Sequence, residues 1–210
     1  APFMTMTRRN HNALILFCRT PGITRARIDS DYAALPWHDL HALFSAFLAD
    51  LLMTASHLEA TDILVYRDPA EWAVEEFLPF RQMVNLFDLP GEGFCNQVGR
   101  AVDQAFAQEY GRVIAVLEND PTISAGFLAG LFNQLGHEDD CVVLTPTREG
   151  KPAIIGFKAN HTKVFDPAEG DPLAKPELLL SRLCALDAHL FLTKTSDSLE
   201  NGTALEHLGR

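Results

Sequence analysis

The chain has 210 residues, 47% of them hydrophobic, with a formal net charge of −11 and a pI near 5.1. That is enough apolar material for a substantial core, and the length suits one α/β domain, expected over residues 12–210 behind a flexible stretch at residues 1–11. The acidic balance excludes non-specific nucleic-acid binding and a polybasic membrane contact, because both depend on an excess of Lys and Arg facing phosphate.

Ala13–Cys18 is a short apolar run that reads as a buried strand, and Pro21-Gly22 turns the chain after it into a loop. Trp37 to Leu52 has helical spacing, with Leu40, Leu43, Phe44, Phe47 and Leu51 on one side. Asp62–Tyr66 reads as a second strand, Pro69 to Leu78 as a helix with Pro near its first turn, and Met83–Phe87 as a third strand. A turn at Pro90–Gly93 precedes a helix over Asn96 to Glu109. Arg112–Leu117 is the most strand-like run and is expected in the centre of the sheet.

Glu118-Asn119-Asp120-Pro121 ends that strand, and Thr122 or Ser124 caps a helix that runs to Leu135 before Gly136. Further strands are expected at Cys141–Leu144, Ala153–Phe157 and His189–Leu192, with a loop at Thr145–Lys151, a helix over Glu177 to Leu186 and a short helix near the C-terminus. Strands alternating with helices predict a three-layer α/β/α domain with a mostly parallel sheet. The strands flanking 145–151 are too close for a crossover helix, so one of them is expected to be antiparallel or displaced, making the sheet mixed. A flavodoxin-like, all-parallel sheet is the competing architecture. Order is expected to be weakest in the first ten residues and in Asp166–Lys175, which is rich in Pro, Gly and charge.

The four cysteines, Cys18, Cys95, Cys141 and Cys184, show no C-x-x-C spacing and read as reduced core thiols. No run approaches the roughly 18 apolar residues of a membrane span, and the first ten residues lack the apolar core of a signal peptide. The expected location is cytoplasmic, where the sequons at Asn160 and Asn201 carry no meaning.

Charge is unevenly spread. Residues 1–28 hold five arginines and no acid. Arg19, Arg25 and Arg27 cluster in the loop after the first strand, and a localised cationic site on an acidic protein suits a small phosphorylated ligand. Guanidinium groups bind phosphate oxygens through charge-assisted bidentate bonds, and Pro21-Gly22 lets backbone approach such a ligand. The same residues also read as a solvated basic loop.

In open α/β sheets ligands bind beyond the carboxyl ends of the strands, where two further polar loops fall. Glu118, Asn119 and Asp120 offer oxygen donors of the kind that Mg²⁺ or Mn²⁺ takes, and equally form an ordinary helix N-terminus. Glu149 reads as a metal ligand or base, or as a surface partner of Arg148 and Lys151. His38 and His41 have no third ligand for zinc and read as helix surface or core edge. No G-x-S-x-G occurs, Cys18 and Cys95 lack a base partner, and Phe44, Phe47, Phe127 and Phe157 are explained by core packing.

At these three loops the chain resembles small bacterial proteins of the glycosyltransferase-A-like (GT-A-like), nucleotide-diphospho-sugar transferase fold, distant relatives of the molybdenum-cofactor and phospholactate guanylyltransferases. Such proteins open with F-A-K-x-P-x-P-G-x-x-K-T-R-L; Phe17–Ile28 is similar, two residues shorter, with basic positions at Arg19, Arg25 and Arg27. Their G-S-D-C-P resembles Leu117–Pro121, and their P-x-x-D-G-G-Y-Y-L-I-G resembles Pro146–Gly156. The likeness covers roughly residues 12–208.

The resemblance implies nucleotidyl or glycosyl transfer from a nucleotide or nucleotide-sugar, with a divalent ion at Glu118, Asn119 and Asp120. Phosphates would lie on Arg19, Pro21, Gly22, Arg25 and Arg27, and Asp120 and Glu149 would be the catalytic acids. Asn119 stands where the family has a metal-binding Asp, with the acid displaced to Asp120, and Glu200-Asn201-Gly202-Thr203 keeps one acid of the family's D-V-D-T. An amide in place of a carboxylate removes a full charge from a metal site. The alternative is therefore a catalytically silent relative that binds an anionic ligand or a protein partner. The base, the acceptor and the oligomeric state are not readable from the sequence.

Overall fold

Seven apolar runs pair into one sheet in the computed structural model, which describes residues 11–18, 37–118, 122–137 and 139–194. The strands are β1 (Asn12–Cys18), β2 (Thr61–Arg67), β3 (Val84–Asp88), β4 (Arg112–Val116), β5 (Cys141–Pro146), β6 (Pro152–Phe157) and β7 (His189–Leu192). Their order is β3-β2-β1-β4-β6-β5-β7, with β4 in the middle as its apolar run predicts. β6 is antiparallel to both β4 and β5, and every other pair is parallel. The sheet is therefore mixed, and the all-parallel alternative is excluded. Its cause is local: the link between β5 and β6 has room only for a hairpin.

Period-2 alternation assigns each strand residue to a layer. Leu14, Leu16 and Cys18 of β1 join Ile63, Val65, Ile114 and Val116 on one face, covered by α1 (Trp37–Ala55) and α3 (Ala125–Gln134). Ala13, Ile15 and Phe17 join Leu64, Val113, Ala115 and Ile155 on the other, covered by α2 (Phe94–Ala107) and α4 (Pro176–Cys184). On α1 the fully buried stripe is Leu48, Leu51, Leu52 and Ala55, while Phe44 packs at the margin. Ser124 is the cap of α3, its hydroxyl accepting from Phe127 N at 3.1 Å.

Three expectations need correction. The stretch expected as a helix over Pro69–Leu78 is a turn followed by a 3-10 helix at Val74–Phe80. Asp68 Oδ1 accepts from Ala70 N at 2.9 Å to make the turn, and Pro79 cannot donate to a longer helix. Asp166–Lys175, expected to be weakly ordered, is held by contacts that composition does not reveal: Asp166 and Asp171 cap their own turns, and Arg182 of α4 donates to the carbonyls of Val164 and Asp166 and to Glu169. Cys184 is exposed in the last turn of α4, whereas Cys18, Cys95 and Cys141 are buried. The short C-terminal helix falls outside the described residues.

Two close approaches fix the sheet, one in its body and one at its carboxyl edge. Gly156 of β6 lies between Ile114 and Val143, and a Cβ there would meet Val143 Cγ2 at 2.7 Å, Ile114 Cγ1 at 3.0 Å and Leu135 Cδ1 at 3.1 Å. The missing side chain lets the end of α3 press onto the sheet. At the end of β2, Arg67 is 7% exposed; its guanidinium donates to the Trp72 carbonyl and lies 3.0 Å from Asp88 Oδ1 at the end of β3.

Gly156→Ala is expected to destabilise by ~1–3 kcal/mol through overpacking, read as a lower urea midpoint at unchanged slope; an unchanged midpoint would contradict the packing. The Arg67–Asp88 pair is asymmetric, since the Asp88 side chain is 48% exposed and can rehydrate. Asp88→Asn strands a buried cation and is expected to cost about 3 kcal/mol, more than the ~1–2 kcal/mol of Arg67→Met, in thermal unfolding. The reverse ranking would show that Arg67 is not held by its charge partner.

Candidate functional site

Strands β1 to β5 and β7 all end at one edge of the sheet, and the antiparallel β6 begins there. Below that edge lies an aromatic floor. Phe17 stacks on Tyr66 at 5.8 Å, Tyr66 on Phe87 at 5.1 Å, and Phe94, the first residue of α2, meets Phe17 edge-on at 5.3 Å. These rings tie the ends of β1, β2 and β3 to the start of α2, so the loops above them start from fixed points.

The register of β1 and β4 sets the geometry of the edge. Leu16 pairs with Val116, so Cys18 and Glu118 each lie two residues further along neighbouring parallel strands. The described parts of the two strands therefore end level with one another at the carboxyl edge. Glu118 is fixed on its other side by β6: Leu117 N and Glu118 N both donate to the Ala153 carbonyl, at 2.8 and 3.2 Å. The β5–β6 hairpin therefore adjoins the end of β4. In it Thr147 N donates to Lys151 O at 2.7 Å, Gly150 N donates to Thr147 O at 2.9 Å, and Gly150 takes φ +84° to close the turn. Glu149 projects from this hairpin, half exposed, with its carboxylate 3.3 Å from Lys151 Nζ.

Of the candidate residues, Glu118 and Glu149 are therefore on one edge, on adjoining elements. Arg19, Pro21, Gly22, Arg25, Arg27, Asn119 and Asp120 lie outside the described residues. Among the described residues no group of three or more His, Cys, Asp or Glu could hold a metal ion. No helix among them is long and apolar enough to cross a membrane.

The edge also holds a polar cluster that sequence reading did not find. Arg67 and Trp72 carry buried N–H donors, Arg67 Nε and Trp72 Nε1, without an acceptor among the described residues. The Trp72 ring lies 4.8 Å from that of His41, whose Nε2 is 3.6 Å from Glu76 Oε2. Glu71 has its carboxyl raised above the usual range by burial, with the Asp68 charge adding to the shift and His41 opposing it. The one sequence signal is an arginine directly after the apolar run Ile63–Tyr66, a charge at the ligand-facing end of a strand.

Nucleophilic cysteine chemistry has no support. Burial pushes the Cys18 thiol far up, with Glu76 adding to the shift and Arg67 opposing it. Burial, then Asp171, pushes Cys95 up to about 12, and its thiol donates to the Phe165 carbonyl at 3.0 Å. Both stay protonated near neutrality and neither serves as a nucleophile.

No curated protein sequence matches this chain. Among solved structures, a candidate nucleotide-diphospho-sugar transferase from Desulfovibrio desulfuricans G20 is similar, at 18% identity and a TM-score of 0.79 over 96% of this chain and 87% of its own. CMP:2-keto-3-deoxy-manno-octonic acid synthetase complexed with CTP is similar at 10% identity and a TM-score of 0.55, over 94% of this chain and 96% of its own. Rv0371C of Mycobacterium tuberculosis H37Rv, solved with manganese, is similar at 11% identity and a TM-score of 0.52, over 94% and 96%. The fold is thus that of the GT-A-like nucleotide-diphospho-sugar transferases. A family model described as an uncharacterized protein conserved in bacteria matches residues 51–169, more than half of the sequence, and the chain belongs to that family, DUF2064.

Proposed function

We propose that the chain, with residues 12–210 as one domain, is a nucleotide-dependent transferase that moves a nucleotidyl or glycosyl group. The observation that supports the reading is that neighbouring parallel strands β1 and β4 end level with one another, the first followed in sequence by the arginines and the second by the acids. Arg19, Arg25 and Arg27, with backbone at Pro21 and Gly22, hold the phosphates. Glu118, Asn119 and Asp120 are the residues that would hold a divalent ion. Their hard oxygen donors fit Mg²⁺ or Mn²⁺, and a bound ion offsets negative charge on the leaving pyrophosphate or nucleoside diphosphate. Asp120 and Glu149 act on the acceptor side, where a carboxylate takes the proton of the attacking hydroxyl. Such transfer needs positioned charge more than a protein nucleophile, which agrees with the two protonated thiols at and beside the edge. The likeness to proteins solved with CTP and with manganese supports the class of ligand.

A second reading, a catalytically silent protein that binds an anionic ligand or a protein partner, is favoured by two observations. Asn119 is an amide within the proposed ion site, and the Glu149 carboxylate is partly neutralised by Lys151. Both readings keep the anion site; only the first needs the metal.

Calorimetry with GTP, CTP and UDP-sugars, with and without Mn²⁺, is expected to find one donor whose affinity rises with the metal. Arg25→Gln together with Arg27→Gln is expected to weaken that donor by about tenfold or more, the loss of charge-assisted phosphate contacts. Asp120→Ala is expected to remove the metal dependence while metal-free binding persists. No binding by any donor sinks the transferase reading, and metal-dependent turnover lost in Asp120→Ala rules out the silent one.

A further inference from the structure

A second polar cleft lies away from the candidate site. Helix α2 places Asn96, Gly99, Arg100 and Asp103 on one face, at i, i+3, i+4 and i+7, while Cys95, Val98, Ala101, Val102 and Ala105 face the sheet. Against the first face runs the 3-10 turn Thr162–Phe165. The approach is close because position 99 is glycine: a Cβ there would stand 3.3 Å from Phe165 Cβ. Between the two elements is a cleft of about 300 Å³ with Arg100 and Lys163 in its walls. That volume lies at the lower end of small-molecule sites.

The charges in this cleft are unequally committed. Asp103 accepts from Asn160 Nδ2 at 2.6 Å, and Asp166 accepts from Ala168 N at 3.0 Å, so both carboxylates serve the local fold. Glu169, the next acid along, is taken by Arg182 at 3.3 Å. Arg100 uses only Nε, donating to Asn96 Oδ1 at 3.3 Å. Its two terminal nitrogens and Lys163 Nζ have no partner among the described residues. On a chain of net charge −11, two cations share the cleft with Asp103 and Asp166, whose carboxylates are oriented by neutral donors while Arg100 and Lys163 keep N–H groups free of a partner among the described residues. Arg100 also lies over Gly91, its Cζ 3.4 Å from where a Cβ would be, in the loop that leads from β3 into α2.

We propose that this cleft is a second anion site, taking the phosphate group of a small phosphorylated molecule between Arg100 and Lys163. A guanidinium fork and an ammonium are the pair that recognises a phosphate dianion, the first by direction and the second by charge. None of the proposed nucleotide-site residues takes part, so the site stands apart from that reading.

An amide-resolved NMR titration of the full chain with inorganic phosphate, against sodium chloride at matched ionic strength, tests the proposal. Gly99, Arg100 and Lys163 amides and the Arg100 Nε–H are expected to shift saturably with phosphate. The Arg100→Gln, Lys163→Gln double variant is expected to weaken the apparent affinity at these probes by about tenfold or more. Arg81→Gln removes an exposed arginine beside the other layer and should leave it unchanged. Both altered residues are exposed, so the variant keeps its fold, which amide dispersion verifies. Equal shifts with chloride, or saturable shifts that persist in the double variant, overturn the proposal. Phosphate held instead by Arg25 and Arg27 would leave the α2 amides still, and that outcome also overturns it. A failure of CTP or UDP-sugars to bind leaves this result untouched.

Discussion

The carboxyl edge of the sheet depends on the parallel pairing of β1 with β4. Because Leu16 lies opposite Val116, the two strands end at the same height, side by side. In the sequence the first is followed by Arg19, Arg25 and Arg27 and the second by Glu118, Asn119 and Asp120. A slip of one residue would turn Leu14 and Leu16 from one apolar layer into the other, so the burial of both faces protects the register. The site is thus stabilised indirectly, by apolar packing several residues below it.

Much of this architecture is legible in the residues. Ala13–Cys18 reads as a buried strand and Arg112–Leu117 as a central one because both are apolar on both faces, and the short spacing between β5 and β6 leaves no room for a crossover helix. Two of the failures share a physical cause: the deciding partner is remote or has no side chain. Helix α2 begins at Phe94, two residues before its expected start, because its cap is Gly93 at φ +76°, which offers no side-chain signal. Asp166–Lys175 reads as loosely ordered by composition, and its order comes largely from Arg182, on another element. Ser124, by contrast, was readable as a cap because its hydroxyl acts within four residues.

The candidate site divides in the same way. Glu118 and Glu149 were read from strand ends, and both lie at the carboxyl edge of the sheet. The role of Arg67 was not legible, since an arginine after an apolar strand reads as an exposed end until its carboxylate partner on β3 is known. The pairing of Glu149 with Lys151 was one of the two readings of its loop, and the hairpin turn at Gly150 brings the two together. The family match spans residues 51–169 and so includes Glu118, Asn119, Asp120 and Glu149, while the arginine segment precedes it.

The position of β6 has a consequence for how the molecule is assembled. β4 and β5 are successive strands in the sequence but do not touch; the later strand β6 stands between them, bonded to both. The sheet cannot grow by adding strands in order of synthesis. β5 and β6 are joined by a short hairpin, whose closure is entropically cheap. Biosynthesis therefore leaves the open side of β4, the strand that carries the acidic segment, uncovered until the chain has been made beyond Phe157.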